Sequence, residues 1–547
     1  MLEDANKLNS AQIITTDICI VGSGPAGITL AMEFDKTPYK VTLLESGDLH
    51  RDRDRQRLND AELTGDPYQY PRFTRRRQFG GAANQWGAYE TSAERIGVRH
   101  MPYEPIEFEQ RDWIPHSGWP FDRTHLDPYY ERAHKISELG PYNYEPEAWQ
   151  TDDAKPLPLA GDTLTSGVYQ FAGFKSFTER HHALQASKNI TLILNATVQE
   201  VALDAGGTNA TGLIVKNANN ADLRVTAKIV VLAVGGIETP RLLLLSRSKQ
   251  TNGIGNQNDV VGRYFMDHPF SVGAVLTPND RTLLDRLNFY DNRLMNGTFV
   301  LGRFTLSEAA IRREKLMSMS FWLYPTRPPY LSKAWESYYM LWEQFITRSR
   351  PSDLGTHAKN MLTGLGSLAQ IAAYRAQGKH YYFTHEKGAW SKLPNKSDLF
   401  SLIEIRSQLE QSPDPDNRIT LSDNPAFVDA FGQRHIHIHW RYHREDEGRV
   451  RRARVLVQEE FQRSGIGTLV YPEPLYWRSG NHHHMGTARM GTDPKTSVVD
   501  PNLKVHDVSN LYIASSAVFP TGGYGNPTLT ISALAIRLAD HLKKQLQ

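Results

Sequence analysis

The chain has 547 residues, more than one compact core usually holds, so two domains are expected. Its 62 Lys and Arg against 60 Asp and Glu leave a formal charge of +2, which gives no global argument for nucleic acid or an anionic membrane as partner. The sole cysteine, Cys19, excludes an internal disulfide and a cysteine-based zinc or iron–sulfur site. The first sixteen residues hold no long apolar segment, so no cleaved signal peptide is expected and the cytoplasm is the expected location. Export attached to a partner that carries a signal is the alternative. No apolar run reaches the ~18 residues of a membrane span.

Asp17-Ile18-Cys19-Ile20-Val21 reads as a buried strand. Gly22-Ser23-Gly24-Pro25-Ala26-Gly27 follows, then residues 28–34 with helical composition, then a strand at 41–44 ending in Glu45. A strand, a Gly-x-Gly-x-x-Gly turn, a helix, a strand and an acid form a dinucleotide fingerprint. Gly22, Gly24 and Gly27 let the backbone approach a pyrophosphate at a helix N-terminus. Glu45 is placed to accept hydrogen bonds from an adenosine ribose. In Arg75-Arg76-Arg77 the reading gives Arg77 to a phosphate and the other two to a solvated surface. Gly80-Gly81 suits close backbone approach to a ring or phosphate, and Asn84 and Gln85 follow it as cofactor-side candidates.

Residues 102–127 are rich in proline and aromatic side chains, and 126–139 read as a helix outside the nucleotide domain. Strand patterns return at 189–198, 210–216 and 229–234. The last runs into Gly235-Gly236 and a helix at 239–245. Strands returning after a long excursion imply a discontinuous, Rossmann-like α/β domain. Its expected segments are 1–98, 185–270 and 475–547. Residues 99–184 and 271–474 are then a substrate-binding domain with a mixed or antiparallel sheet and helices. Helices are expected there at 335–348 and 362–377, and strands at 417–422 and 435–440. His435, His437 and His439 alternate, so they share one sheet face.

Near the other end lie His482-His483-His484-Met485-Gly486-Thr487 and Gly525-Asn526-Pro527-Thr528. Between them residues 511–514 read as a buried strand, and 530–542 form a closing helix. A titratable imidazole and a neutral amide on loops flanking one strand suit proton removal from an alcohol and retention of its oxygen. Adjacent histidines point in different directions, so no metal site is expected.

Taken together these motifs resemble the glucose–methanol–choline family of FAD oxidoreductases over nearly the whole length. The resemblance rests on the glycine turn with Glu45, on Gly80-Gly81, and on Ala233-Val234-Gly235-Gly236-Ile237-Glu238-Thr239-Pro240. It continues through Gly262-Arg263-Tyr264-Phe265-Met266-Asp267-His268-Pro269, His483-to-Thr487 and Asn526-Pro527. It implies His483, three residues before Gly486, as the base, and Asn526 as its partner. It implies adenine contacts near Val198, and cofactor contacts at Gly235, Ser515, Asn526, Pro527 and Thr528. Sugar-acting members attach FAD through a histidine where this chain has Gln85, so noncovalent FAD is expected. His268 is expected to be structural. Arg77-to-Gly81, Ser117-Gly118-Trp119-Pro120 and Gly525-to-Thr528 look most like bacterial pyranose and C-glycoside oxidases and sugar dehydrogenase large subunits.

The expected activity is oxidation of an alcohol, a secondary hydroxyl of a sugar or glycoside, with oxygen or another electron acceptor. Gln408, Trp440 and His482 are candidate substrate contacts. The alternatives are a non-oxidative lyase or decarboxylase on the same fold, or the large subunit of a multi-chain dehydrogenase. A homo-oligomer or a small partner subunit is compatible with either.

Overall fold

The apolar run before the glycine turn forms the strand Ile13–Val21, whose last four residues are buried. It pairs in parallel with Val41–Leu44 on one side and Asp222–Leu232 on the other. Parallel strands covered on both faces read as near-continuous apolar runs, as the buried stretches 18–21, 41–44 and 229–232 do. Ile190–Leu194 and Leu2–Asp4 extend the parallel sheet beyond Val41–Leu44. Leu511–Ile513 pairs in parallel with Val230 to Leu232. Ala210–Lys216 and Thr197–Leu203 add an antiparallel edge. This computed structural model describes the chain except residues 11, 86, 90–94, 174, 348–352, 385–386, 474, 476 and 479–480. Trp86, Arg348 and Pro474 of the stretches read above therefore lie outside the described residues.

The run expected as one strand at 189–198 is broken by Asn195, at φ 61°, into two strands of the same sheet. Gly22 opens the glycine turn at φ 99°, and the helix Pro25–Glu33 begins with proline in its first turn, where no N–H is needed. A Cβ on Gly27 would stand 1.9 Å from the Gly22 carbonyl oxygen. Only glycine lets this helix sit so close to the strand end. Cys19 is fully buried beneath the turn, and burial pushes its thiol pKa up.

A second sheet is antiparallel, with Gly467–Val470, Phe270–Pro278, Leu402–Leu409, Met319–Thr326, Thr298–Leu306, Leu164–Ala172 and Arg95–His100 in that order. Arg95–His100 and its neighbour Ala88–Tyr89 belong here, although the expected boundary gave residues up to 98 to the nucleotide domain. A two-stranded pairing so short leaves no periodicity to read. The helix Asp127–Ile136, expected outside the nucleotide domain, packs on the closing helix Thr528–Gln545. Tyr130 Oη lies 2.9 Å from Thr530 Oγ1, and Leu126, Tyr130 and Ala133 join the core of the parallel sheet.

The expected helix at 362–377 is two helices, Leu354–Thr363 and Leu365–Ala376, which follow Lys333–Thr347. They part at Gly364, where a Cβ would meet the Ala334 methyl at 2.4 Å. In the strand Ile436–Trp440 the isoleucines and Trp440 are buried. His437 Nε2 and His439 Nδ1 both reach Thr64 Oγ1, at 2.8 and 3.0 Å, so the shared histidine face is structural.

Gly27→Ala should cost about 1–3 kcal/mol, the range for overpacking a filled site. Guanidinium unfolding of the cofactor-stripped chain measures it; an unchanged midpoint would mean the helix has room to shift.

Candidate active site

Two distant segments are stitched together by backbone before any side chain acts. Met266 and Met485 exchange N–H···O bonds of 3.0 and 2.9 Å. Gly486, at φ 88°, allows the closest approach: a Cβ there would lie 2.1 Å from the Tyr264 carbonyl oxygen. Asp267 completes the join. Its carboxylate accepts from the His483 N–H at 2.9 Å, the His268 N–H at 2.7 Å and Tyr68 Oη at 2.7 Å. Burial pushes the Asp267 pKa up to about 6 against these hydrogen bonds.

The stitching brings His268 and His483 face to edge, with their Nδ1 atoms 2.8 Å apart. His268 Nε2 lies 3.1 Å from the Gly522 carbonyl oxygen. A carbonyl only accepts, so His268 carries its proton on Nε2. In the neutral ring Nδ1 is then the acceptor, and His483 must donate from Nδ1. His483 Nε2 is left with its lone pair outward. Asn526 Nδ2 stands 3.2 Å from that atom and donates to it, which also fixes the amide orientation. One N–H of Asn526 remains for another acceptor.

Burial, and next the adjacent His268, hold the His483 pKa well below the ordinary histidine range. Burial pushes His268 down to about 4. Both rings are therefore neutral near pH 7, as the hydrogen-bond pattern requires. Gln408 is fully buried behind this pair; its amide donates to the Tyr524 carbonyl and lies 3.3 Å from His268 Nδ1. Its Nε2 braces the relay, and its Oε1 is buried without a hydrogen-bond partner. Trp440 is also fully buried and donates to Gln411 Oε1 at 3.0 Å, so the expected substrate contact is a packing residue.

Beside the histidines a cleft of roughly 1170 Å³, partly open to solvent, runs along the carboxyl ends of the parallel strands. Ligands of open α/β sheets bind at that end. Gly22, Gly24, Glu45, Arg77, Gly81, Val198, Gly235, Ser515 and Pro527 line it, together with His482, His483 and His484. Cβ atoms built on Gly24 and Gly235 meet nothing within 4 Å, as expected where a bound group takes that space. His482 Nδ1, His484 Nε2 and Arg76 Nη1 are buried without a hydrogen-bond partner, and all three residues line the cleft. These orphaned atoms and the glycine cradle fit a flavin dinucleotide.

Several expected cofactor contacts sit one layer back. Gly27 is filled from behind by Gly22. Asn84 Nδ2 donates to the Phe79 and Gly81 carbonyls and so shapes the Gly80-Gly81 turn. Gln85 donates to the Phe73 carbonyl, and Thr528 is a buried first residue of the closing helix. Glu45 accepts from Ser23 N at 3.1 Å, Ser23 Oγ at 2.7 Å and Gly47 N at 2.8 Å. Its carboxylate organises the turn as well as facing the cleft.

All three residues of the arginine run line the cleft, and two of them share one carboxylate. Arg77 Nη2 donates to Glu238 Oε2 at 2.6 Å, and Arg75 Nη2 to the same oxygen at 3.0 Å. Against the cost of burial, Arg77, Arg241 and Arg75 hold the Glu238 pKa well below the carboxylate range. Arg75 and Arg77 are thus neutralised in place, not solvated. Arg76, which lines the same cleft, has a buried Nη1 without a hydrogen-bond partner. Burial lowers its pKa to about 10, so it remains charged.

His268 and Asp267 are the functional residues the sequence reading missed. The motif Asp267-His268-Pro269 was noted, yet its histidine was taken as structural, because nothing in one sequence says that two loops 215 residues apart touch.

Models of the GMC oxidoreductase family match residues 174–270 and 413–535. A 2-methyl-1,2-propanediol dehydrogenase of Mycolicibacterium austroafricanum is 25% identical, over 97% of this chain and 95% of its own. A fructose dehydrogenase large subunit of Gluconobacter japonicus is 28% identical, over 84% of this chain and 73% of its own. The crystal structure of pyridoxine 4-oxidase from Mesorbium loti superposes with a TM-score of 0.56 at 15% identity, covering 97% of this chain and 99% of that one. With both matched regions falling on segments that build the cleft and its histidine relay, the chain belongs to the GMC oxidoreductases.

Proposed function

We propose that the protein oxidises a secondary hydroxyl of a sugar-like polyol with noncovalently bound FAD. The observation that carries this reading is the imidazole lone pair of His483, held outward by His268 and placed 3.2 Å from the Asn526 amide. The parallel-sheet segments hold the dinucleotide and the antiparallel sheet covers the substrate side. Gly24 and Gly235 leave room for the backbone to approach it, Arg76 meets the pyrophosphate and Val198 flanks the adenine. When bound, the flavin supplies a two-electron acceptor for the hydrogen on the alcohol carbon.

The chain's own residues prepare that transfer. The substrate oxygen replaces the direct hydrogen bond between Asn526 Nδ2 and His483 Nε2, bonding to both atoms. Nε2 removes the hydroxyl proton, which makes the carbon a far better hydride donor. Asn526 donates to the oxygen as it becomes a carbonyl. The charge gained by His483 is met by His268 Nδ1, while the His268 proton stays on Nε2, donated to the Gly522 carbonyl oxygen. General base catalysis of this kind contributes about 10²–10⁴-fold. The names of the relatives support a polyol or sugar-like substrate. The likeness to a dehydrogenase large subunit favours a second reading, in which a further chain carries electrons onward; co-purification of a small subunit from the native host tests it.

His483→Ala should retain FAD yet slow flavin reduction by about 10²–10⁴-fold in anaerobic stopped-flow. Reduction at the parent rate would remove His483 as the base. Asn526→Ala should slow it less, because a water can replace the amide.

His268→Ala should slow reduction at least ~10-fold, as losing an orienting partner does elsewhere. The working form of His483 is neutral, so activity is present above its pKa and lost as pH falls through it. With that pKa held low by burial, the reduction rate should stay level from pH 8 down past the ordinary histidine range and fall only below it. A midpoint near 6.5 would contradict the buried neutral relay.

Denaturation and filtration should release all the flavin, and yellow protein on the filter would mean a covalent bond. Arg76→Ala should weaken FAD binding at least ~10-fold by titration, the scale of a hydrogen bond to a charged group.

A further inference from the structure

The three helices Lys333–Thr347, Leu354–Thr363 and Leu365–Ala376 form a satellite to the body. They share a small apolar cluster of their own, Tyr330, Trp335 and Ile371, with Leu368 and Tyr374 packed against it. The inner face of Leu365–Ala376 is thus Leu368, Ile371 and Tyr374. Its opposite face carries Leu365, Ala369 and Ala376, all exposed. The preceding helix repeats the arrangement. His357 and Asn360 face inward onto Ser337, and Leu354, Ala358 and Leu362 face solvent. Surface helices normally bury the apolar stripe and expose the polar one. Here Leu354–Thr363 turns its leucines outward, and Leu365–Ala376 is apolar on both faces.

The exposure is large. Leu354, Leu362 and Leu365 are 57, 68 and 59% exposed, and Trp342 and Phe345 of the first helix are 51 and 75% exposed with their rings stacked. Contiguous apolar surface of this kind marks a protein or membrane contact. Charge decides between them. From residue 354 to 380 the chain has no Asp or Glu, but it has Lys359, Arg375 and Lys379, all exposed. The chain as a whole is nearly balanced, so the bias is local. Leucine and alanine on one face, cations at its margin and exposed tryptophan and phenylalanine at one end are the makings of a helix lying in the plane of an anionic lipid surface. No helix among the described residues is long and apolar enough to cross a membrane.

We propose that this helical satellite docks the protein on the surface of an anionic phospholipid membrane, inserting the leucines at 354, 362 and 365 and the rings of Trp342 and Phe345 into the headgroup boundary. Lys359 and Lys379 then face the phosphates, while Arg375 stays over the Trp335 and Tyr338 rings.

The test uses the FAD-loaded full chain with vesicles of phosphatidylcholine containing a quarter phosphatidylglycerol, and with phosphatidylcholine alone. Co-sedimentation is expected with the anionic vesicles, about 25-fold stronger than with neutral ones, roughly fivefold for each of two cations. Salt should weaken it. Leu362→Asp with Leu365→Asp should abolish sedimentation and leave substrate reduction of the flavin unchanged; Lys359→Gln with Lys379→Gln should lower the affinity for anionic vesicles more than 10-fold. Protein that stays in the supernatant with both vesicles overturns the proposal. So does a dimer in solution that the Leu362→Asp, Leu365→Asp variant splits, since the face would then be a contact between copies of this chain.

Discussion

The carbonyl oxygen of Gly522 can only accept a hydrogen bond, and that constraint passes through two imidazoles to Nε2 of His483. It fixes the proton of His268 on Nε2, which fixes that of His483 on Nδ1, which leaves Nε2 of His483 basic. No charged residue is needed to set the tautomer. A carboxylate in the place of His268 would orient the ring too, but it would also raise the pKa of His483 and favour the protonated, useless form. A neutral acceptor keeps the base neutral in a buried site.

The surroundings show the cost of such a site and how it is met. Buried polar atoms must be satisfied, or must wait for a ligand that satisfies them. Asp267 is satisfied by two backbone N–H groups and Tyr68, so it can clamp two chain segments without an ion pair. Glu238 holds Arg75, Arg77 and Arg241 in place through ion pairs. Arg76, His482 and His484 keep open valences toward the cleft. The same region thus separates structural polarity from polarity held for a bound group.

Much of this was readable from residue order. The glycine turn, its helix and Glu45 announce themselves by local spacing, and the parallel sheet follows from short, wholly apolar runs. His483 and Asn526 were found by their register with Gly486 and Pro527. What could not be read depends on contacts between distant segments. The role of His268 exists only because Met266 pairs with Met485. The choice among three consecutive arginines depends on where Glu238 lies. Gln408 and Trp440 sit near the site in space, but burial turns both inward, and alternation along a strand does not say which side a substrate will occupy. The helix Asp127–Ile136 shows the same limit: that it is a helix was readable, its partner was not.

The position of Cys19 has a practical side. It is the only thiol in the chain and lies in the central strand directly under the glycine turn. Every other part of the molecule is silent to a sulfhydryl reagent. Modification of the native protein must therefore wait for the parallel sheet itself to part, and the rate of that single chemical event, followed with and without flavin, becomes a clock for how firmly the nucleotide locks the fold shut.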